Sequence, residues 1–285
     1  MGKTEIQWTD FSWNPVTGCT KVSPGCKFCY AERVTDRFGR VDFSKIVLHH
    51  DRLEQPLHLR APRRVFVNSM SDLFHERIPD DFIGRVFDMM AMAERHTFQV
   101  LTKRAERMRD LLQRWEAEPA RQPRRTGFPN VWLGVSAEDQ QRADERIPLL
   151  LQTPAAVRFV SLEPLLGHIR LHDAWLYDYV TGRRDKCFVD WVIVGGESGG
   201  PPERALVVKN QFGWHPRLPH FEWSISLRDQ CQAVGVPFFF KQWGGRTTKS
   251  GGRLLGERTW DEFPPPADTK EGAKHAHLSR PPLRS

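Results

Sequence analysis

Val131-Trp-Leu-Gly-Val-Ser136, then Asp139 to Leu151, then Val157-Arg-Phe-Val-Ser-Leu162: a β-rich run, a stretch with apolar residues at helical spacing and a second β-rich run follow with little between them. Two strands joined through a helix lie parallel, because the crossover returns the chain to the end where the first strand began. The rhythm extends both ways. Upstream stand Val65-Phe-Val-Asn-Ser69 and Thr97-Phe-Gln-Val-Leu-Thr102, and between them Phe82, Ile83, Val86, Phe87 and Met90 recur at helical spacing after a Pro79-Asp-Asp start. Ala105 to Trp115 reads as the next helix. Downstream come Val189-Asp-Trp-Val-Ile-Val194, a helix over Glu222 to Val234 stopped by Gly235, and Val236-Pro-Phe-Phe-Phe-Lys241. A first strand over Phe11 to Thr17 and a short helix over Tyr30 to Phe38 complete the set. About seven strands, one short of a closed eight-stranded barrel, predict an α/β fold: a partial or distorted (β/α) TIM-like barrel with parallel strands and its active site at their C-terminal ends.

Two stretches break the rhythm, a polar insertion over His168 to Lys186 and a Gly/Pro-bearing loop over Ser198 to His220. Loops of such length in compact domains are lids, binding loops or disordered. The pattern fades near Gly244. The expected organisation is therefore a barrel domain over 1–244 and an extended, partly disordered C-terminal tail over 245–285, with Phe263 to Ser285 a polar disordered end.

The β-rich runs finish in polar residues: Asn68 and Ser69 with Asp72 beyond, Thr102-Lys103-Arg104, Ser136 with Glu138, Ser161 with Glu163, Gly196-Glu197-Ser198, and Lys241-Gln242. In parallel βα architecture these ends converge on one face. Asn68, Asp72, Lys103, Arg104, Ser136, Ser161 and Lys241 are thus candidates to hold a substrate or an anion. Gly195 and Gly196 at one strand end let backbone approach a ligand closely, or simply make a tight turn.

The chain has 285 residues, 39% hydrophobic, enough for a core without covalent staples. It has no apolar run of membrane-spanning length, and its start lacks a signal-peptide core, so a soluble, cytoplasmic protein with no membrane partner is expected. A net charge of +7 points to a polyanionic partner such as nucleic acid, or to nothing more than a solvated mixed surface. Five cysteines are too few for a disulfide framework, and Cys19, Cys26 and Cys29 fall together in Gly18-Cys-Thr-Lys-Val-Ser-Pro-Gly-Cys-Lys-Phe-Cys29, between the first strand and the first helix. Thiolates are soft ligands for zinc or iron-sulfur clusters, and Pro24 and Gly25 shape a loop that wraps a metal. A structural zinc site takes four ligands, the fourth then coming from Cys187, Cys231, His49 or His50. A four-iron (4Fe-4S) cluster on three cysteines keeps one iron open.

This arrangement resembles that of radical S-adenosylmethionine (SAM) enzymes, which carry three cysteines in the loop after the first barrel strand and an aromatic residue before the last cysteine, here Phe28. The spacing differs, six residues between the first two cysteines instead of three. More closely, the chain resembles a family of phage-associated and bacterial proteins with a three-cysteine motif, through Ile6-Gln-Trp-Thr-Asp10, Trp13 to Glu32, Leu101-Thr-Lys-Arg104, Leu133-Gly-Val-Ser136, Ser161-Leu-Glu-Pro-Leu165, Val194-Gly-Gly-Glu-Ser-Gly199 and Phe238-Phe-Phe-Lys-Gln-Trp-Gly244. The resemblance implies a radical-SAM-like enzyme with a 4Fe-4S cluster on Cys19, Cys26 and Cys29. It further implies S-adenosylmethionine as cosubstrate, a reductant supplying one electron, and a nucleotide or nucleic acid as the substrate class. On that reading Glu138, Glu163 and Glu197, with Phe28, Gly195 and Gly196, are cofactor-binding candidates, while Lys103, Arg104 and Lys241 meet a carboxylate or phosphate. The alternative is a nucleic-acid-binding protein with a structural zinc site; a metal-independent barrel enzyme is a third reading.

Overall fold

The computed structural model describes residues 1–37, 42–118, 128–177, 188–211 and 213–265. Its strands are β1 (Gly2–Lys3), β2 (Phe11–Trp13), β3 (Val16–Thr17), β4 (Val47–Leu48), β5 (Arg64–Val67), β6 (Thr97–Thr102), β7 (Val131–Ser136), β8 (Val157–Leu162), β9 (Trp191–Gly195), β10 (Val207–Asn210), β11 (Gly213–Pro216) and β12 (Phe238–Gln242). Eight form one sheet, in the order β1-β2-β5-β6-β7-β8-β9-β12, antiparallel only at β1 and β2. The seven parallel strands are those expected from the sequence, and the sheet curls into a partial barrel.

Period-two alternation gives this sheet two different faces, because successive side chains of a strand point to opposite sides. Val65, Val67, Leu133, Val135, Val160, Leu162, Val192, Val194, Phe238 and Phe240 join one large core together with the buried faces of the helices. The residues between them, Phe66, Trp132, Phe159, Trp191, Ile193 and Phe239, form a second cluster with Trp8 on the other face. Aromatic rings therefore fill the inside of the partial barrel. Gly134 belongs to this inner face, where a Cβ would stand 2.5 Å from the Phe159 ring. Gly134→Ala is accordingly expected to destabilise the fold by about 1–3 kcal/mol through overpacking, read as a lower urea midpoint at unchanged slope.

The helices are α1 (Tyr30–Arg37), α2 (Asp80–Met92), α3 (Ala105–Ala117), α4 (Gln140–Leu151), α5 (Asp173–Leu176) and α6 (Leu218–Ala233). Asp80 and Asp81 lie in the first turn of α2, where carboxylates favour the helix dipole. The Asp139 side chain caps α4 by accepting from Arg142 N–H at 2.8 Å. Gly235 ends α6 region with φ +69°. This helix starts at Leu218, four residues before the expected Glu222, because Pro219 is tolerated in a first helical turn.

The expected first strand is split. Phe11–Trp13 joins the main sheet, whereas Val16–Thr17 pairs with β4 in a separate two-stranded sheet. Pro15, which has no N–H for a ladder, lies at the break. The segment read as a long loop after Ser198 contains the β10–β11 hairpin, and α6 begins inside it. In the stretch read as a polar insertion, Ile169, Leu171, Trp175 and Leu176 are buried; residues 178–187, Cys187 among them, lie outside the described residues.

Beyond Gly244 the described chain lies along β12. Phe240 N–H donates to Trp260 O at 2.9 Å, Glu262 N–H donates to Phe238 O, and Phe263 packs on the inner aromatic cluster. This occupies an edge that would otherwise expose unpaired backbone groups. Residues 266–285 of the expected tail lie outside the described residues. No described helix is long and apolar enough to cross a membrane.

Candidate functional site

The cysteine loop leaves β3 at Gly18, whose φ of +90° and contact with Lys45 backbone exclude a side chain. Cys19 N–H donates to Phe43 O at 2.8 Å, a short 3-10 turn spans Pro24–Cys26, and Cys29 immediately precedes α1. All three thiols are free and partly buried. Cys26 Sγ contacts Ser23 Oγ at 3.8 Å, and Cys19 Sγ accepts from Arg104 Nη1 at 3.7 Å. Burial, reinforced by the Asp72 carboxylate, pushes the Cys19 thiol up to about 11 against the pull of Arg104.

Three charged braces hold this loop to the C-terminal ends of the strands. In the first, Asp72 aims Arg104: Asp72 accepts from Thr102 Oγ1 at 2.7 Å, Lys103 N–H at 3.0 Å and Arg104 Nη1 at 3.2 Å, and Arg104 Nη2 reaches Thr20 Oγ1 at 2.9 Å. His75 joins from the side, its Nε2 2.8 Å from Thr20 Oγ1. Burial and the neighbouring Arg104 hold His75 below its ordinary pKa, so it is neutral near pH 7.

In the second, the fully buried Glu138 accepts from Gly25 N–H at 3.1 Å and from Arg146 Nη1 at 3.1 Å. Burial opposes its ionisation, but the Ser23 hydroxyl, Lys103, Arg146 and the Gly25 amide outweigh it and keep its pKa below the ordinary value. In the third, Glu197 is held by Arg204 at 2.7 and 3.0 Å, while Arg204 Nη2 donates to Pro24 O at 3.1 Å and its guanidinium lies 5.1 Å from the Phe28 ring centre. Arg33 of α1 adds bonds to the carbonyls of Ser198 and Gly199.

A separate cluster lies above the aromatic plug. Ser136 and Ser161 are register partners on β7 and β8. Lys103 Nζ donates to Ser136 Oγ at 2.7 Å, Ser136 Oγ donates to Glu163 O at 3.0 Å, Ser161 Oγ donates to Glu163 Oε2 at 3.1 Å, and Lys241 Nζ stands 3.0 Å from Glu163 Oε1. A register shift between Phe240 and Gln242 marks a bulge at Lys241, a device that re-aims a side chain. Alternation that supplies rings at the bottom of the inner face supplies hydroxyls, two amines and one carboxylate at the top.

The strand-end residues read from sequence thus divide into two groups. Lys103, Ser136, Ser161, Glu163 and Lys241 come together, with Gly195 beside them. Asp72, Arg104, Glu138 and Glu197 instead engage the cysteine loop and are already partnered, which corrects the expectation that Arg104, Glu138 and Glu197 offer free groups at the mouth. The close approach at Gly195 and Gly196 is to Glu163 Oε1 and to Trp243 O, where a Cβ would collide. Asn68 takes φ 62° and accepts from Val16 N–H, fixing the turn after β5. Arg33, His75, Arg146 and Arg204 escaped the sequence reading. Arg204 sits in the loop flagged as a lid or binding loop; nothing local marks the other three.

Of the expected fourth ligands within the described residues, His49 Nε2 is 2.8 Å from Thr17 Oγ1, His50 packs edge-on to Phe82, and Cys231 is buried in the core under α6. Among the described residues no three His, Cys, Asp or Glu side chains are gathered as they would be about one metal ion. A zinc ion draws its sulfurs to about 2.3 Å, whereas a four-iron cluster takes one thiolate on each of several iron atoms and accepts a wider spread of sulfurs. Three free thiols on one braced loop, with Arg104 bonded to one of them, fit the cluster: they offer soft donors and positive charge near an anionic group.

A family model described as "protein of unknown function (DUF5131)" matches residues 3–264. No curated protein matches the chain. Among solved structures the chain is similar to spore photoproduct lyase complexed with dinucleoside spore photoproduct, with a TM-score of 0.49 and 11% identity over 79% of this chain and 74% of that one. It is also similar to a spore photoproduct lyase double mutant with bound AdoMet and dinucleoside spore photoproduct, with a TM-score of 0.48 and 12% identity over 81% of this chain and 75% of that one.

Proposed function

The chain belongs to the family described as protein of unknown function (DUF5131), and from the site it carries we propose a radical SAM-type enzyme whose Cys19, Cys26 and Cys29 hold a 4Fe-4S cluster and whose substrate is a nucleotide or nucleic acid. The observation that carries this reading is the cysteine loop itself: three free thiols, anchored by Arg104, Glu138 and Arg204 beside the polar top of a partial parallel barrel. When bound, the cluster and S-adenosylmethionine supply one-electron reductive cleavage of the sulfonium, with the electron drawn from an external reductant.

The chain's own groups do the binding and orienting. Glu163 has the charge to take the amino group of the cosubstrate, and Lys103 and Lys241 have the charge to take its carboxylate; Ser136 and Ser161 hold Glu163 in place through its carbonyl and its carboxylate. Exchanging the Lys241–Glu163 pair for ligand groups conserves charge inside a partly buried site, where unpaired charge is expensive. The aromatic plug from Trp8 to Phe239 closes the bottom of the barrel and keeps water from entering behind the reacting groups. Arg104 is a positioning residue, kept on Cys19 by Asp72.

Anaerobically purified protein is expected to contain about four irons and matching sulfide per chain, and the electron paramagnetic resonance spectrum of the reduced protein is expected to change when S-adenosylmethionine is added. Stoichiometric zinc without sulfide would overturn the proposal in favour of a structural metal in a nucleic-acid-binding protein.

A further inference from the structure

Beside Tyr30, the residue that follows Cys29, a cleft of about 330 Å³ opens between β1, the end of β2 and the turn after β5. Lys3, Ser12, Asn14, Tyr30, Arg52 and Ser69 line it, and no carboxylate does. Among the described residues neither Lys3 nor Arg52 is paired with an acid; the only side-chain bond of Arg52 is a long one, 3.4 Å, to Asn14 O. Two cations share a concavity without a compensating charge, which favours an anionic occupant.

The walls are fixed. Asn14 Oδ1 accepts from Met70 N–H at 3.0 Å, and the Asn14 amide bonds Ser69 Oγ at 3.2 Å. Tyr30 OH donates to Ser69 O at 3.0 Å, which holds the phenol while the residue stays 48% exposed. A tethered phenol ring with an open face is a stacking platform, and hydroxyls and an amide beside two unpaired cations suit phosphate and sugar oxygens.

We propose that this cleft seats a nucleotide unit of the substrate, with Lys3 and Arg52 on a phosphate and Tyr30 under a base. The inference deepens the function proposed above and rests on it for the fate of the bound nucleotide, while the binding itself needs no cluster. The phosphate can belong to a single strand or to a free nucleotide, and the two are separable.

The test is fluorescence anisotropy of the full chain with a labelled single-stranded oligothymidylate, and competition by thymidine monophosphate, at several salt concentrations. Lys3→Glu/Arg52→Glu is expected to weaken oligonucleotide binding at least tenfold and to flatten its salt dependence by a slope of about two, one for each lost phosphate contact. Tyr30→Ala is expected to weaken binding with the slope unchanged, as loss of stacking does. Competition by the mononucleotide at similar affinity identifies a free nucleotide as ligand, and its failure to compete identifies a strand. Lys3→Glu alone, on the exposed two-residue strand β1, guards against a misfolded double variant.

No binding by the wild-type chain, or binding indifferent to all three variants, overturns the proposal. The same titration on Cys19→Ala/Cys26→Ala/Cys29→Ala separates the two readings. Retained binding there, with zinc or no metal in the wild type, leaves the cleft standing and removes the radical chemistry.

Discussion

Cys26→Ala is expected to leave a folded protein that no longer assembles a cluster. Its iron content should fall from about four per chain to well below one, because two thiolates on a solvent-accessible loop do not retain a four-iron core. The fold should survive, for a reason visible in the contacts. Cys26 belongs to neither apolar core, and the loop around it is anchored through Gly25 N–H on Glu138, Arg204 on Pro24 O and Cys19 N–H on Phe43 O, none of which uses the Cys26 sulfur. Removing it should cost about 0.5 kcal/mol or less, the usual effect of a substitution away from packed or partnered groups. Iron and sulfide analysis alongside a thermal melt decides the matter. Loss of cooperative melting would identify a metal that holds the fold together, as a zinc site does; full retention of iron would remove Cys26 from the ligand set.

Trp191→Ala is expected to have the largest effect on stability. The residue is fully buried at the centre of the inner cluster, with ring centres of Trp8, Trp132, Phe159, Phe239 and Phe263 between 5.2 and 6.2 Å away. Its indole N–H donates to Glu262 O at 2.8 Å and so ties the chain beyond Gly244 to the barrel interior. Truncation opens a cavity among rings that cannot collapse together and strands a carbonyl, a loss of about 3–5 kcal/mol. Trp191→Phe should recover most of it. Equilibrium urea unfolding measures both, and a cost for the alanine variant below about 1 kcal/mol would mean that the plug is not packed as described. Because the plug lies beneath the Lys103, Glu163 and Lys241 cluster, this variant should also loosen the site above it.

The two predictions probe opposite ends of one strand pattern. In the β7–α4–β8 unit, alternation placed Val135 and Val160 against the helices and Trp132 and Phe159 inside, and the same parity carried on to put Ser136 and Ser161 side by side at the top. Pro79 with two aspartates, Asp139 and Gly235 marked helix ends through local chemistry alone. The three cysteines announced a soft-ligand loop by their spacing. All of this was legible because it depends on neighbours within a few residues along the chain.

The expected first strand illustrates where such reading stops. Phe11 to Thr17 has continuous β character, yet only its first three residues join the main sheet, since the partner of the rest, β4, is a two-residue strand whose pairing is decided in space. The carboxylates are the sharper case. Glu138, Glu163 and Glu197 look alike at their strand ends. Burial beside Gly25 and Arg146 turned the first into a brace, Arg204 turned the last into another, and Lys241, supplied by a bulge on the next strand, left Glu163 facing the mouth.

The sequence by itself determined the parallel βα order, the two-faced strands, the gathering of polar residues at one end and the presence of a three-thiol loop. The tertiary structure alone decided which charges hold that loop, which remain at the mouth, and that an acid-free cleft lies beside Tyr30. The physical reason is the distance along the chain over which each is set. Alternation and capping act between near neighbours, whereas Gly25 meets Glu138 across 113 residues and Arg204 meets Pro24 across 180, contacts that come into being only when the barrel closes around them.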